Sequence, residues 1–309
     1  MTRCRVGCAH HFFEPARRKR WVDLTLRCLA TSLLVLGARH VSAADVQRII
    51  SLAPSVTETV FALGLGDRLV GVSVYCDYPP EAARIDRVGT FLTPNVEAIV
   101  AKQPDIIIAT PSPGNQGSVQ ALRRLGLNVV LVDPNTVAEI KESLIAIGRA
   151  LGHEAAAHAL VARIDAHIAA VQARLGDTPA RKVLMVVGQT PLVAVGSGTF
   201  QDELIRMAHG DNLAAAAGGS WPRLSIEFAI AAAPEVIIDT SMGNEEQVGA
   251  APAMDFWKAF PTIPAVRDGH VYGYKAYQVL RPGPRLGEAF EALARFIHPE
   301  QFTRDTSHD

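Results

Sequence analysis

Two glutamates give the first chemical signal in this chain. Glu97 opens the run EAIVAKQPDIIIAT and Glu227 opens EFAIAAAPEVIIDT, and six of the fourteen paired positions are identical without a gap. Each run passes through a short helical stretch to a proline, an acidic residue and a β-branched strand that ends at Thr110 or Thr240. Asn95 and Ser225 stand two residues ahead of the glutamates, where helix caps belong. A carboxylate in a first helical turn is stabilised locally by free N–H groups and the helix dipole, by about 0.3 to 1 kcal/mol. The repetition adds something that local effect does not supply: it puts the two glutamates at equivalent points on two related halves.

The second signal is VGVSVYCDYPPEA, Val70 to Ala82, where Cys76 lies between Tyr75 and Tyr78 in a loop stiffened by Pro79 and Pro80. A thiolate ligand to a metal such as cobalt or iron is one use of such a cysteine. Alternation along an extended segment, however, turns Cys76 away from wherever Tyr75 points, so a small buried residue is expected there. Tyr75, and later Trp221, fall in Pro-flanked loops at strand ends, where α/β sheets receive ligands. His153, His158 and His167 are spaced five and nine apart on one long helical run, which does not stack them on one face, and they are expected at the surface. The chain contains no dinucleotide fingerprint in strand–turn–helix context, no phosphate-binding loop, no nucleophile elbow and no HExxH. An enzyme is not expected.

Alternating β and α signals must position these residues. RIISLAP reads as a strand, SVTETVFALGLG as a capped helix ending in glycine, and LVGVSV as the next strand. NVEAIVAKQ, PDIIIAT, SVQALRRLG and NVVLVD continue the alternation as helix, strand, helix and strand. Strand signals then disappear between Thr136 and Asp177, where one helix is followed by a second, alanine-rich one over His153–Gly176. After DTPARK the alternation resumes with VLMVVG and runs through FQDELIRMAHG, IEFAIAAA, PEVIIDT and HVYGY to a closing helix, RLGEAFEALARFIHP. Continuous β-branched strands in repeated β-α units imply parallel sheets covered on both faces. The expected divisions are residues 1–43, 44–135 as a first α/β lobe, 136–178 as linking helices and 179–309 as a second lobe.

Residues 1–43 differ from the rest, with eight Lys or Arg against Glu14 and Asp23, the apolar run CLATSLLVLGA, and small residues at Ser42, Ala43 and Ala44. Eleven apolar-leaning residues are too few to span a bilayer, which needs roughly 17 to 25. The pattern is that of a secretory signal peptide cleaved near Ala43 or Ala44. No small-residue-then-Cys pattern follows it, which argues against a lipid anchor. The whole chain carries 30 basic and 31 acidic residues; without residues 1–43 it carries 22 and 29, a net charge of −7. Such a chain lacks the basic balance of a nucleic-acid binder. Cleavage also removes Cys4, Cys8 and Cys28, so Cys76 is left without an internal disulfide partner.

On the segments RIISLAPSVTETVFALGLGDRLVGVSVYCDYPPEA, VGTFLTPNVEAIVAKQPDIIIAT, WPRLSIEFAIAAAPEVIIDT and RPGPRLGEAFEALARFIHP, the chain resembles the periplasmic cobalamin-binding proteins of ABC importers. These belong to a group with a helical backbone that also contains haem and ferric-siderophore binders. The resemblance covers nearly all of the mature chain in order, and YCDYPP with FLTPNVEAIV leans toward the cobalamin branch. It implies an α/β fold of two Rossmann-like lobes joined by a single long rigid α-helix, with a ligand cleft between them and little lobe motion. It implies a soluble periplasmic monomer that carries cobalamin or a related corrinoid as transported ligand, needs no cofactor or metal, and delivers its cargo to a permease with ATPase subunits. Haem or a ferric siderophore is the alternative cargo. By the same resemblance Tyr75, Phe91 and Trp221 face the ligand; Phe91 stands where a tryptophan is common, and Thr110 where another aromatic occurs. Arg281 and Arg285 in RPGPR either meet ligand amides or phosphate or form a structural ion pair. Glu97 and Glu227 are the implied docking carboxylates for permease arginines, an arrangement suited to a two-fold partner.

Overall fold

The computed structural model describes residues 46–241, 250–274 and 279–302. The expected signal peptide and its cleavage site lie outside these residues. The first sheet is built from β1 (Ile49–Ser51), helix α1 (Pro54–Ala62), β2 (Leu69–Val72), α2 (Val96–Ala101), β3 (Ile106–Ala109), α3 (Gln116–Arg124) and β4 (Val129–Leu131). Its strands are all parallel in the order β2-β1-β3-β4. Two helices follow, α4 (Val137–Ala150) and α5 (Glu154–Leu175). The second half contains β5 (Arg181–Gln189), β6 (Leu192–Ala194), α6 (Phe200–Met207), β7 (Gly210–Asn212), α7 (Ile226–Ala232), β8 (Val236–Asp239), α8 (Ala250–Trp257), α9 (Pro264–Arg267), β9 (Val271–Gly273) and α10 (Leu286–Ile297). Its sheet runs β6-β5-β8-β9, with β7 also on β5, and only the β5–β6 pairing is antiparallel.

Side-chain alternation explains how each short strand is covered twice. Ile49, Ile106 and Ile108 of the first sheet and Val183, Met185, Val236 and Ile238 of the second enter one continuous core with α1, α4, α5, α6 and α10. Ile50, Ile107 and Ala109 face the opposite way with Ile99, Val119 and Leu122, and Leu184, Val186 and Ile237 do the same with Ala229 and Trp257. The two halves therefore share their inner core and keep separate outer ones.

The linking helices are specified locally. Thr136 and Glu139 form a reciprocal capping box at the start of α4, with Glu139 N donating to Thr136 Oγ1 (3.1 Å) and Thr136 N donating to Glu139 Oε2 (3.0 Å). In α5, Ala157, Leu160, Ile164, Ile168, Val171 and Leu175 are buried at steps of three or four, which makes one apolar stripe. The helix has 22 residues, about 33 Å at 1.5 Å per residue, and Gly176 ends it. His167 departs from the expected surface setting: it is half-buried, and its Nε2 lies 2.7 Å from Glu291 Oε2 on α10. Burial alone would raise the Glu291 carboxyl, but its bonds to Arg295 and His167 hold it below the usual range.

The repeated runs have a physical basis beyond their helices. In the first, the Asp105 carboxylate accepts from Gln47 N (2.9 Å) and Arg48 N (2.8 Å) at the entry to β1. In the second, Glu235 accepts from Lys182 N (2.8 Å) near the start of β5. Each acidic residue anchors its strand to the neighbouring one. The residue before each repeat proline, Gln103 (φ 46°) or Ala233 (φ 50°), is left-handed, so both helices end in the same turn.

Candidate functional site

The Tyr75 loop is fixed from beneath and from the side. Cys76 is fully buried, with its Sγ 3.1 Å from Thr57 Oγ1 and 3.2 Å from Ser73 Oγ. Arg87 donates to the carbonyls of Ser73 (3.2 Å) and Cys76 (2.8 Å), and Arg281 Nη2 donates to the Tyr75 carbonyl (3.2 Å). With its neighbour turned inward, Tyr75 is turned out and is 52% exposed.

Phe91 reaches the same place from the loop between β2 and α2. Its ring meets Tyr75 edge-on at 5.9 Å between centroids, the geometry that aromatic quadrupoles favour. Its loop closes tightly at Gly89 (φ +100°), where a Cβ would lie 2.7 Å from both Asn95 N and Thr93 O. Buried Asn115 then ties the loop to the end of β3, donating to the carbonyls of Phe91 (3.0 Å) and Thr110 (2.8 Å). Thr110 itself is half-buried.

Trp221 is 50% exposed on a segment that runs along β6, with Ala194 N donating to Pro222 O (3.1 Å) and Gly196 N to Ser220 O (2.9 Å). Gly196 permits this approach, because a Cβ there would lie 2.1 Å from Gly219 O. Trp221 borders a cavity of 190 Å³ whose wall includes Pro134 and Asn135 before α4, Gln201 at the start of α6, and Leu280 and Pro282. The segment 280–282 thus connects the two aromatic regions: its flanking residues wall the Trp221 cavity while Arg281 holds Tyr75.

For Arg281 and Arg285, the structure contains the ion-pair alternative. Both guanidinium groups converge on Glu58 of α1, a carboxylate 3% exposed. Arg285 grips it with two bonds of 2.8 Å and lies 4.1 Å over the Tyr78 ring. Arg281 reaches Glu58 at 3.2 Å and also pairs with Asp77. Burial would lower both arginine pKa values, but these carboxylates raise them further above the ordinary range. The cluster joins α1 of the first half to the chain that leaves the second sheet.

Glu97 and Glu227 sit two residues past their caps on α2 and α7, and both are exposed. Asn95 Oδ1 accepts from Ala98 N (3.0 Å) and Ser225 Oγ from Phe228 N (3.2 Å). The backbone N–H of Glu227 and then the Ser225 hydroxyl hold the Glu227 carboxyl below its usual range. Three residues on, Val100 and Ile230 are 41% and 39% exposed, so each half presents the same carboxylate and aliphatic pair.

Sequence reasoning had singled out the aromatics and the glutamates. It missed Glu58, Asp77 and Asn115, whose roles come from partners distant in the chain. Among the described residues, no group of three or more His, Cys, Asp or Glu side chains is arranged to hold a metal, and no helix is long and apolar enough to cross a membrane.

The profile of the family described as periplasmic binding protein matches residues 49–278. The chain belongs to that family. It is a family of binding proteins rather than enzymes. A vitamin B12-binding protein of Yersinia pestis (strain Pestoides F) is 30% identical to this periplasmic binding protein over 237 residues, 77% of this chain and 83% of that one. The periplasmic vitamin B12-binding protein BtuF of Vibrio cholerae superimposes with a TM-score of 0.73 at 28% identity, covering 83% of this chain and 98% of its own. The periplasmic heme-binding protein RhuT from Roseiflexus sp. RS-1 superimposes equally well, with a TM-score of 0.74 at 27% identity over 83% of this chain and 99% of that one.

Proposed function

We propose that this chain captures cobalamin or a related corrinoid between two lobes, residues 44–135 and 179–309, and delivers it to the permease of an ABC importer whose ATPase subunits supply the energy. The observation that carries this reading is the set of aromatic rings on tightly held loops, exposed Tyr75 edge-on to half-buried Phe91 on the first half and exposed Trp221 on the second. A corrin is a broad, largely apolar disc with an amide fringe, and flat rings with few polar anchors suit it. Arg281, occupied by carboxylates, contributes by fixing the Tyr75 backbone at the rim. Export by the N-terminal leader would bring the mature monomer to the periplasm. Glu97 and Glu227, exposed on equivalent helices with Val100 and Ile230 beside them, are the docking points for basic residues of a two-fold permease.

Haem or a ferric siderophore is the second reading. The exposed phenol of Tyr75, a possible axial ligand to iron, favours haem, and the relatives at similar distance include a haem binder.

The experiment separates capture from delivery. Equilibrium dialysis with labelled cyanocobalamin should give at least tenfold weaker binding for Tyr75→Ala and Trp221→Ala. The double variant Glu97→Ala/Glu227→Ala should bind cyanocobalamin as the parent does yet fail to associate with the permease in detergent. Loss of ligand binding in the double variant would move the glutamates from docking to the cleft.

A further inference from the structure

Glu97 and Glu227 share more than their place in the repeat. Over residues 95–100 and 225–230 the burial sequence is the same step for step: exposed, half-buried, exposed, half-buried, buried, exposed. The inward steps are accounted for by packing. Val96 and Ile99 belong to the outer core of the first sheet, and Ile226 and Ala229 to that of the second. Val100 and Ile230 enter none of the cores and are 41% and 39% exposed.

One exposed aliphatic side chain is ordinary on a protein surface. Two at the same step of an internal repeat need a reason, because only six of the fourteen paired positions are identical and this step stays β-branched. Helix formation does not supply it: at a solvated position Ala, Lys, Glu and Gln are all better helix formers than Val or Ile. Residues three apart on a helix are neighbours, so Glu97 with Val100, and Glu227 with Ile230, each form one face that is anionic at one end and aliphatic at the other. The matching surface has a basic side chain next to an apolar recess, and has it twice. An apolar contact beside an ion pair also excludes water and screening ions from it.

We propose that Val100 and Ile230 are contact residues of the docking surface, each seated in an apolar recess beside a basic residue of a two-fold permease. This rests on the docking reading and deepens it by dividing the work. The glutamates steer and orient the encounter, and the aliphatic pair slows its dissociation.

The test is biolayer interferometry of the exported protein on its own permease with ATPase subunits in nanodiscs, at low and at raised ionic strength. Val100→Gln/Ile230→Gln should dissociate at least tenfold faster than the parent, with an association rate within threefold and an unchanged salt dependence. Glu97→Gln/Glu227→Gln should instead lose association rate and most of the salt dependence. Each aliphatic single variant should dissociate at least twofold faster, by factors within threefold of each other, as two equivalent contacts require. Leu125→Gln, which removes a 60% exposed aliphatic side chain just past α3, should stay within twofold of the parent. A double aliphatic variant that dissociates within twofold of the parent, while the glutamate variant fails to associate, would overturn the contact and leave the docking reading standing. So would a loss from Leu125→Gln as large as that from the aliphatic pair. Parent-like binding by both double variants would overturn the docking reading and the contact together.

Discussion

At the scale of single residues, a buried carboxylate on α1 holds the rim of the site in place. Glu58 holds two arginines from the far end of the chain and, through Arg281, the backbone of Tyr75. Removing the central carboxylate of a buried ionic cluster costs more than an exposed ion pair is worth. Glu58→Ala should therefore destabilise the fold by about 2 to 4 kcal/mol, read as a lowered urea midpoint, with Arg285 losing both of its short bonds. A change below about 1 kcal/mol would mean that the arginines find water instead. Nothing in SVTETVFA marks this glutamate as different from a solvated helix residue, since its partners are more than two hundred positions away. Cys76 is buried as expected, but by a turn rather than by alternation: Cys76 N donates to Ser73 O (3.1 Å), and Val74 and Tyr75 between them are both exposed. Arg281 was legible only as a pair of alternatives, which its neighbours, not its type, distinguish.

At the scale of elements, the sequence was most informative where the pattern was long or repeated. The apolar stripe of α5 was visible as one helix, and the structure trims the expected His153–Gly176 by one residue at each end, leaving those two as caps. The helix expected to run to Gly66 stops at Ala62, because Leu63 and the left-handed Gly64 turn the chain. The short β6 and β7 and helix α8 were not anticipated; three-residue strands and a helix of mixed composition leave too little periodicity to detect. The β6 omission matters for the site, since that strand positions Trp221. The internal repeat gives a prediction of its own. Ala233 occupies a left-handed conformation that costs a residue with a Cβ roughly 1 to 2 kcal/mol. Ala233→Gly should then raise stability by about 0.5 to 1 kcal/mol, whereas Ala231→Gly within α7 should lower it by about the same amount. Chemical denaturation of the two variants side by side checks the sign of each.

At the scale of the whole molecule, one continuous inner core, the long helix and the Glu58 cluster join the two halves, which suits a receptor that presents a preformed cleft. The same closing region makes stability depend on pH. Burial pushes the imidazole of His298 below its ordinary value of 6.5, against the opposing influence of Glu300 at 3.3 Å. Above pH 6.5 the folded and unfolded forms are both neutral and the full stability is present. As pH falls below 6.5 the unfolded chain takes up the proton first, so stability declines until the lower folded pKa is passed. Melting temperatures should fall between pH 7 and pH 5, and His298→Gln should flatten that slope.

Parallel calorimetric titration of the exported protein with cyanocobalamin and haemin decides the cargo. Tight one-to-one binding of cyanocobalamin and no heat from haemin are expected. Haemin binding with a shifted Soret band, and none of the corrinoid, would contradict the cobalamin reading and make Tyr75 an iron ligand.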